Sequence, residues 1–175
     1  MIRPLLWVPL LVFAIFLWIF AFGLKREPGT AIRSQMIGKP MPDFALEPSV
    51  PNHDGLAIAD LRSGQPRLVN VFASWCIPCI TEARQLRQLA EAGAPIYGIA
   101  IRDTPEDLAR FLARNGDPYR AIGGDANSSV QIALGSSGVP ETFVVDGKGV
   151  IRHQHIGDIR PEDIATIMTA YEAAR

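Results

Sequence analysis

The chain begins with a long apolar run and then changes register. From Pro4 to Leu24 it reads PLLWVPLLVFAIFLWIFAFGL, uncharged, with Arg3 before it and Lys25-Arg26 after it. A helix that is apolar on every side suits lipid. Twenty-one residues at 1.5 Å each span about 30 Å, the thickness of a bilayer's hydrocarbon core. The run predicts a transmembrane anchor over 4–24. A cleaved leader usually has an apolar stretch of only about 7–15 residues, although Ala21-Phe22-Gly23 resembles a small-x-small cleavage site. Residues 25–36 are polar and rich in small residues, and predict a linker. A single domain is expected over 37–175, long enough for one proper core.

Within 37–175 the apolar runs are short and punctuated. After the turn signal Asn52-His-Asp-Gly55, Leu56–Leu61 predicts a short strand or hairpin. Leu68–Ala73 predicts a buried strand. A helix starts near Pro78 and runs through Thr81–Ala92, with Ala83, Leu86, Leu89 and Ala90 on one face and Gly93 as its stop. Ala94–Ile101 predicts a second buried strand. Thr104 before Pro105 is an N-cap followed by proline at the first helical position, opening a helix to Arg114. Tyr119–Ile122 predicts a strand and Asn127–Leu134 a short helix. Glu141–Val145 and Val150–His155 predict a hairpin across Asp146–Gly149. A last helix begins at Arg160-Pro161. Alternating strands and helices, then a hairpin and a helix, describe an α/β fold around a mixed sheet.

Charge changes this picture little. The net charge is −1, with Lys and Arg scattered, so no footprint for nucleic acid is present. No internal repeat or low-complexity block appears. Arg3 favours an inward N-terminus while Lys25 and Arg26 pull the other way, so charge leaves the sidedness of the anchor open.

The cysteines change it most. Cys76 and Cys79 are the only two in 175 residues, three positions apart, at a predicted strand–helix junction. The first thiol falls at a helix N-terminus, where unpaired N–H groups and the helix dipole favour the reactive thiolate. The spacing allows a disulfide. A zinc site would need more ligands than this pair, and His153 and His155, on one face of a strand, make a poor site alone. A purely structural disulfide would close too small a loop to stabilise much. Redox work is the favoured reading. Pro78 sets the helix start. Trp75 offers an apolar cover to the site, or else core packing.

Trp75-Cys76-Ile77-Pro78-Cys79 together with Val139-Pro140 before a strand resembles the thioredoxin superfamily. The resemblance implies a thioredoxin-like fold, a mixed sheet flanked by helices with an N-terminal β extension, and a cis Pro140 beside the disulfide. More closely, the chain is similar to the membrane-anchored thiol:disulfide interchange proteins of cytochrome c maturation, the DsbE/CcmG type. That rests on Ile37–Phe44, Val69–Cys76, Glu82, and above all Gly138-Val-Pro-Glu-Thr-Phe143. Gly135-Ser-Ser-Gly138 departs from the aromatic GVYG segment of that family. The resemblance implies a periplasmic reductant of apocytochrome c or of a thiol protein of haem ligation, recharged by a membrane electron donor, with no cofactor or metal.

Generic thioredoxins carry a buried aspartate where Asn70 stands here, and Asn70 cannot act as a base. Glu82 and Glu141 are therefore the candidate carboxyls that move a proton on or off Cys79. A solvated helix carboxylate is the plainer role for Glu82. Pro140 keeps a backbone edge open for an extended partner. Three other functions compete. A disulfide-forming oxidant is compatible with CxxC. A peroxidase shares Pro42-Asp-Phe44, but Val69 and Ala73 stand where its PxxxTxxC site needs Pro and Thr. A non-catalytic tethered binding module would have no need of both cysteines.

Overall fold

The structure is a computed structural model that describes residues 7–24 and 36–175. Two compact units divide the chain, residues 1–33 and 34–175. In the first, Val8–Leu24 is a 17-residue helix, α1. Among the described residues no helix is long and apolar enough to cross a membrane. The expected span began at Pro4, and residues 4–6 lie outside the described residues. Most of the expected linker, 25–35, lies outside them too. Met36, its last residue, is partly buried against the core of the second unit.

The second unit is built on five strands. They are β3 (Arg67–Phe72), β4 (Ile96–Ile101), β5 (Tyr119–Asp125), β6 (Glu141–Val145) and β7 (Ile151–Ile156). The sheet order is β5-β4-β3-β6-β7. Pairings β3–β4 and β4–β5 are parallel, and β3–β6 and β6–β7 antiparallel. The mixed sheet expected from the strand–helix alternation is therefore present. Strand β3 is central and buried from Leu68 to Phe72, which is why its sequence reads as a continuous apolar run rather than an alternating one.

Two small elements precede the sheet. β1 (Ala45–Leu46) pairs antiparallel with β2 (Leu56–Ala57), the N-terminal β extension. This segment takes the outer backbone groups of the edge strand β5. The Ser49 amide donates to Ile122 (3.0 Å), the Ile122 amide to Asp54 (3.1 Å) and the Gly124 amide to Glu47 (2.9 Å), so the edge is covered. The strand or hairpin expected over Leu56–Leu61 is corrected here. After β2 the chain turns into the one-turn helix α2 (Ile58–Leu61). Asp60 accepts a hydrogen bond from the Ala57 amide at 2.8 Å, closing the turn, and the turn brings Leu56 and Leu61 both into the core.

Helix α3 (Ile77–Glu91) starts at the cysteines and buries Cys79, Glu82, Ala83, Leu86 and Leu89. Gly93 follows with φ of 94°, a left-handed stop that glycine supplies without steric cost. Helix α4 (Pro105–Asn115) is capped as expected, with Thr104 Oγ1 accepting from the Asp107 amide at 3.2 Å. Helix α5 spans only Ser129–Ala133 of the expected Asn127–Leu134. Ser128 is left-handed and Asn127 Oδ1 accepts from the Ser129 amide, so the chain turns before the helix can start. Pro161–Asp163 is a 3-10 turn that leads into α6 (Ile164–Ala173).

One glycine in the sheet positions the site. A Cβ on Gly98 of β4 would come within 2.8 Å of the Phe72 ring and 3.1 Å of the Tyr119 ring. Its absence lets Tyr119 stack on Phe72, centroids 4.6 Å apart, and reach across β4 towards β3.

Candidate active site

Strand β3 ends at Phe72, and a short turn delivers Cys76 to the N-cap of α3. Cys76 and Cys79 form a disulfide with Cα atoms 5.3 Å apart. The Cys79 amide donates to Cys76 Sγ at 3.2 Å, the expected use of an unpaired helix-terminal N–H. Both sulfur-bearing residues are buried, Cys76 4% and Cys79 2% exposed, so exposure in this oxidised form does not separate attacking from resolving sulfur. Pro78 lies in the first turn of α3, which fits a residue with no N–H to offer.

Trp75 is not a core residue: it is 54% exposed. Its indole Nε1 donates to the Arg102 carbonyl at 3.1 Å, and the Arg102 guanidinium lies 5.9 Å from its ring centroid. It walls an open cleft of about 620 Å³ with Ser74, Ile80, Arg110, Phe111 and Arg114. Exposed Ile77 and Ile80 extend this apolar rim beside the disulfide.

The Val139–Pro140 bond is cis, as expected, and Pro140 is buried directly before β6. Its carbonyl accepts from the Gly157 amide at 3.0 Å. Glu141 is 1% exposed. Its Oε1 accepts from Gln154 Nε2 at 2.7 Å, and no donor meets the buried Oε2 in bonding geometry. Burial pushes the carboxyl above its ordinary value, tempered by Ser136, Gln154 and Ser137 nearby. The Ser136 hydroxyl stands close but is turned to the Gly138 carbonyl.

Glu82 is fully buried, which removes the solvated-carboxylate role. Its Oε1 accepts from Asn70 Nδ2 and its Oε2 from the Ile159 amide, both at 3.0 Å. Burial pushes it up to about 7, opposed by the hydrogen bonds from Ile159 and Asn70 and reinforced by the charge of Asp158. Asn70 itself is spoken for on every side. Nδ2 also donates to Thr142 Oγ1 at 3.0 Å, and Oδ1 accepts from the Tyr119 hydroxyl at 2.8 Å. Tyr119, Thr142 and the Ile159 amide were not among the residues expected from the sequence. Ile159 lies 77 residues from Glu82, so no local pattern joins them.

His153 and His155 do share a strand, half-buried, and His155 Nε2 lies 3.3 Å from the Asp158 carbonyl. Among the described residues no group of three or more potential metal ligands occurs.

A mixed sheet that presents a CxxC disulfide at a helix N-terminus, beside a cis-proline, defines the thioredoxin-like class of thiol–disulfide exchange proteins. Within that class the chain belongs to the AhpC/TSA family, matched over residues 37–154, and to its thiol:disulfide interchange proteins of the DsbE type. It is 40% identical to the thiol:disulfide interchange protein HelX of Rhodobacter capsulatus over 169 residues, covering 95% of this chain and 93% of that one. It is 37% identical to DsbE of Escherichia coli (strain K12) over 184 residues, covering 99% of each. A solved Chlorobium tepidum structure, described as a thiol:disulfide interchange protein DsbE, superposes with a TM-score of 0.63 at 26% identity, covering 79% of this chain and 96% of that one. The AhpC/TSA match brings no peroxidase site with it. Val69 and Ala73, where Pro and Thr would be needed, are both buried.

Proposed function

We propose that this chain is a membrane-anchored reductase of protein disulfides that serves cytochrome c maturation. The DsbE and HelX relatives support thiol:disulfide interchange in that setting. The substrate is the CxxCH segment of apocytochrome c, or a thiol protein of the haem-ligation machinery. The chemistry starts from the dithiol. Cys76, as thiolate, attacks one sulfur of the partner disulfide, and the partner's other sulfur leaves as a thiolate and takes up a proton. Cys79 then gives its proton to a buried carboxylate, Glu82 or Glu141, and attacks Cys76 Sγ. The Cys76–Cys79 disulfide forms and the second partner thiol leaves, so the partner gains two electrons and this domain loses them. A dithiol carrier in the membrane returns the domain to its reduced form. The apolar rim of Trp75, Ile77 and Ile80 and the edge beside Pro140 receive the extended partner segment.

The observation that carries the direction is the buried Glu82 carboxyl, one turn beyond Cys79 on α3. Stabilising the thiolate at a helix N-terminus favours the reduced form and makes a protein oxidising. Glu82, one turn beyond Cys79 and ionised above about 7, places negative charge near where a Cys79 thiolate would form. That opposes the thiolate and tips the couple towards the disulfide, which makes the dithiol a stronger reductant. The expected equilibrium potential against a glutathione buffer lies nearer thioredoxin's, about −270 mV, than DsbA's, about −120 mV. A value at the oxidising end would reverse the electron flow and favour the disulfide-forming reading.

The anchor is part of the same reading. Residues 7–20 are exposed on every side of α1 although nearly all are apolar, a surface that belongs in hydrocarbon. With residues 4–7 the apolar run reaches the length of a single span, and the catalytic domain faces the periplasm of a bacterial inner membrane. Full-length chain is expected to stay with membranes through an alkaline carbonate wash, and its reduced cysteines to react with a membrane-impermeant maleimide in spheroplasts. Release by carbonate would remove the anchor, and labelling only after lysis would invert its orientation.

A further inference from the structure

Each oxygen of the Glu82 carboxylate faces an N–H donor. The Ile159 amide, 3.0 Å from Oε2, can only donate. A proton on neutral Glu82 therefore finds no acceptor in Ile159, and Oε1 faces Asn70 Nδ2, also a donor, at 3.0 Å. The O–H of the neutral acid finds an acceptor in Asn70 only if that amide turns over and presents Oδ1 instead. Turned over, Oδ1 would accept from Glu82 and from the Thr142 hydroxyl, and Nδ2 would face the Tyr119 oxygen. Thr142 can reverse its part because a hydroxyl both donates and accepts. Tyr119 cannot do so freely. Its hydroxyl donates to Asn70 Oδ1 at 2.8 Å, its ring is stacked on Phe72, and among the described residues it has no second hydrogen-bond acceptor. Burial, with Glu82 and Asp117 nearby, holds the phenol well above its ordinary value, so the hydroxyl keeps its proton and remains a donor.

We infer that Tyr119 is a positioning residue: its hydroxyl pins the Asn70 amide in the orientation that donates to Glu82, and thereby favours the ionised carboxylate. The further consequence, that this readies Glu82 to take the Cys79 proton, rests on the function proposed above. The other titratable groups around this carboxyl are Asp158, next to Ile159, and Cys79 on α3 itself, with Asp117 behind Tyr119. Glu141 lies on the opposite face of β6 from Thr142.

The test is a carbon-13 titration of Glu82 in the oxidised full chain, where neither cysteine titrates. The resonance is assigned by its loss in Glu82→Gln. In Tyr119→Phe the midpoint is expected to rise by about half to one pH unit, a three- to tenfold gain in proton affinity. An unmoved midpoint overturns the inference. So does a fall towards the ordinary carboxylate value, the signature of water admitted by a loosened core. If Tyr119→Phe does not fold, wild type decides. The Asn70 side-chain nitrogen-15 and Tyr119 Cζ resonances should titrate together at the Glu82 midpoint, and flat curves overturn the inference. The pH profile of disulfide exchange separates the two ideas. A raised Glu82 midpoint with an unmoved rate profile upholds the positioning of Glu82 and sinks its role as proton acceptor.

Discussion

Cys76→Ser yields a folded protein that reduces no disulfide, while Cys79→Ser yields one that stalls covalently attached to its partner. The expectation follows from the placement of the two sulfurs. Cys76 caps α3 and receives the Cys79 amide, so negative charge is best tolerated there. Cys79 sits inside the first turn, one turn before the buried Glu82, and suits the slower, proton-dependent resolving step. Folding survives because the disulfide closes a loop of only about four residues, and constraining so short a loop is worth about 2 kcal/mol at most. The buried core around it does not depend on that bond, and a domain of this size holds about 5–15 kcal/mol in all. The measurement is reduction of a CxxCH peptide disulfide, followed by gel shift under non-reducing conditions. Cys79→Ser should accumulate a peptide adduct that dithiothreitol releases, with turnover falling to the uncatalysed background in both variants. An adduct formed by Cys76→Ser in place of Cys79→Ser would interchange the two roles.

The features legible in the sequence are those with local causes. Thr104-Pro105 marks a helix start because a hydroxyl cap and a proline act within one turn, and α4 begins there. Leu68–Ala73 reads as a buried strand because both its faces are covered, and β3 is central. The cysteines and Pro140 announce themselves through a motif, and the fold brings them to the same end of the sheet. Leu56–Leu61 misleads because six residues of mixed polarity fit a strand as well as a turn of helix. The choice was made by Asp60 reaching the Ala57 amide. Glu82 misleads for a different reason. A lone glutamate on a helix is ordinarily solvated, and what buries this one comes from β3 and from the loop before α6, far away in sequence. Its partners are Asn70, which read only as the absence of a base, and a backbone amide, which has no sequence signature. Tyr119 read as the start of a strand, and its reach to Asn70 depends on Gly98 lacking a side chain one strand away. What remained hidden in the site is thus its long-range hydrogen bonding, the part that sets the chemistry of the carboxyl rather than its presence.

Glu82→Gln removes roughly 3 kcal/mol of pH-dependent destabilisation and slows resolution of the mixed disulfide. Burial raises the folded-state value of this carboxyl from 4.5 to about 7. Between those values the folded chain binds more protons than the unfolded chain, so stability falls as pH rises. The group's favourable contribution is complete below about 4.5 and is lost as pH passes through about 7. A shift of about 2.5 units at about 1.4 kcal/mol per unit gives the figure of roughly 3 kcal/mol. Glutamine cannot ionise, so the variant is spared that loss. Denaturant unfolding of the oxidised proteins at pH 4.5 and 8.5 checks it. The stability of the variant relative to wild type should improve by roughly that amount between the two, because Glu141 and the other titrating groups cancel in the comparison. A difference independent of pH would mean that Glu82 does not titrate in this window. The kinetic half of the prediction is separate. Near pH 7 the wild-type carboxyl is partly ionised and able to accept the Cys79 proton, whereas glutamine is not. Attack of Cys76 on the peptide disulfide should change little while breakdown of the adduct slows, and the slowing should shrink as rising pH ionises Cys79 without help. Equal slowing at every pH would point to lost packing around Asn70 and Ile159 in place of a lost proton acceptor.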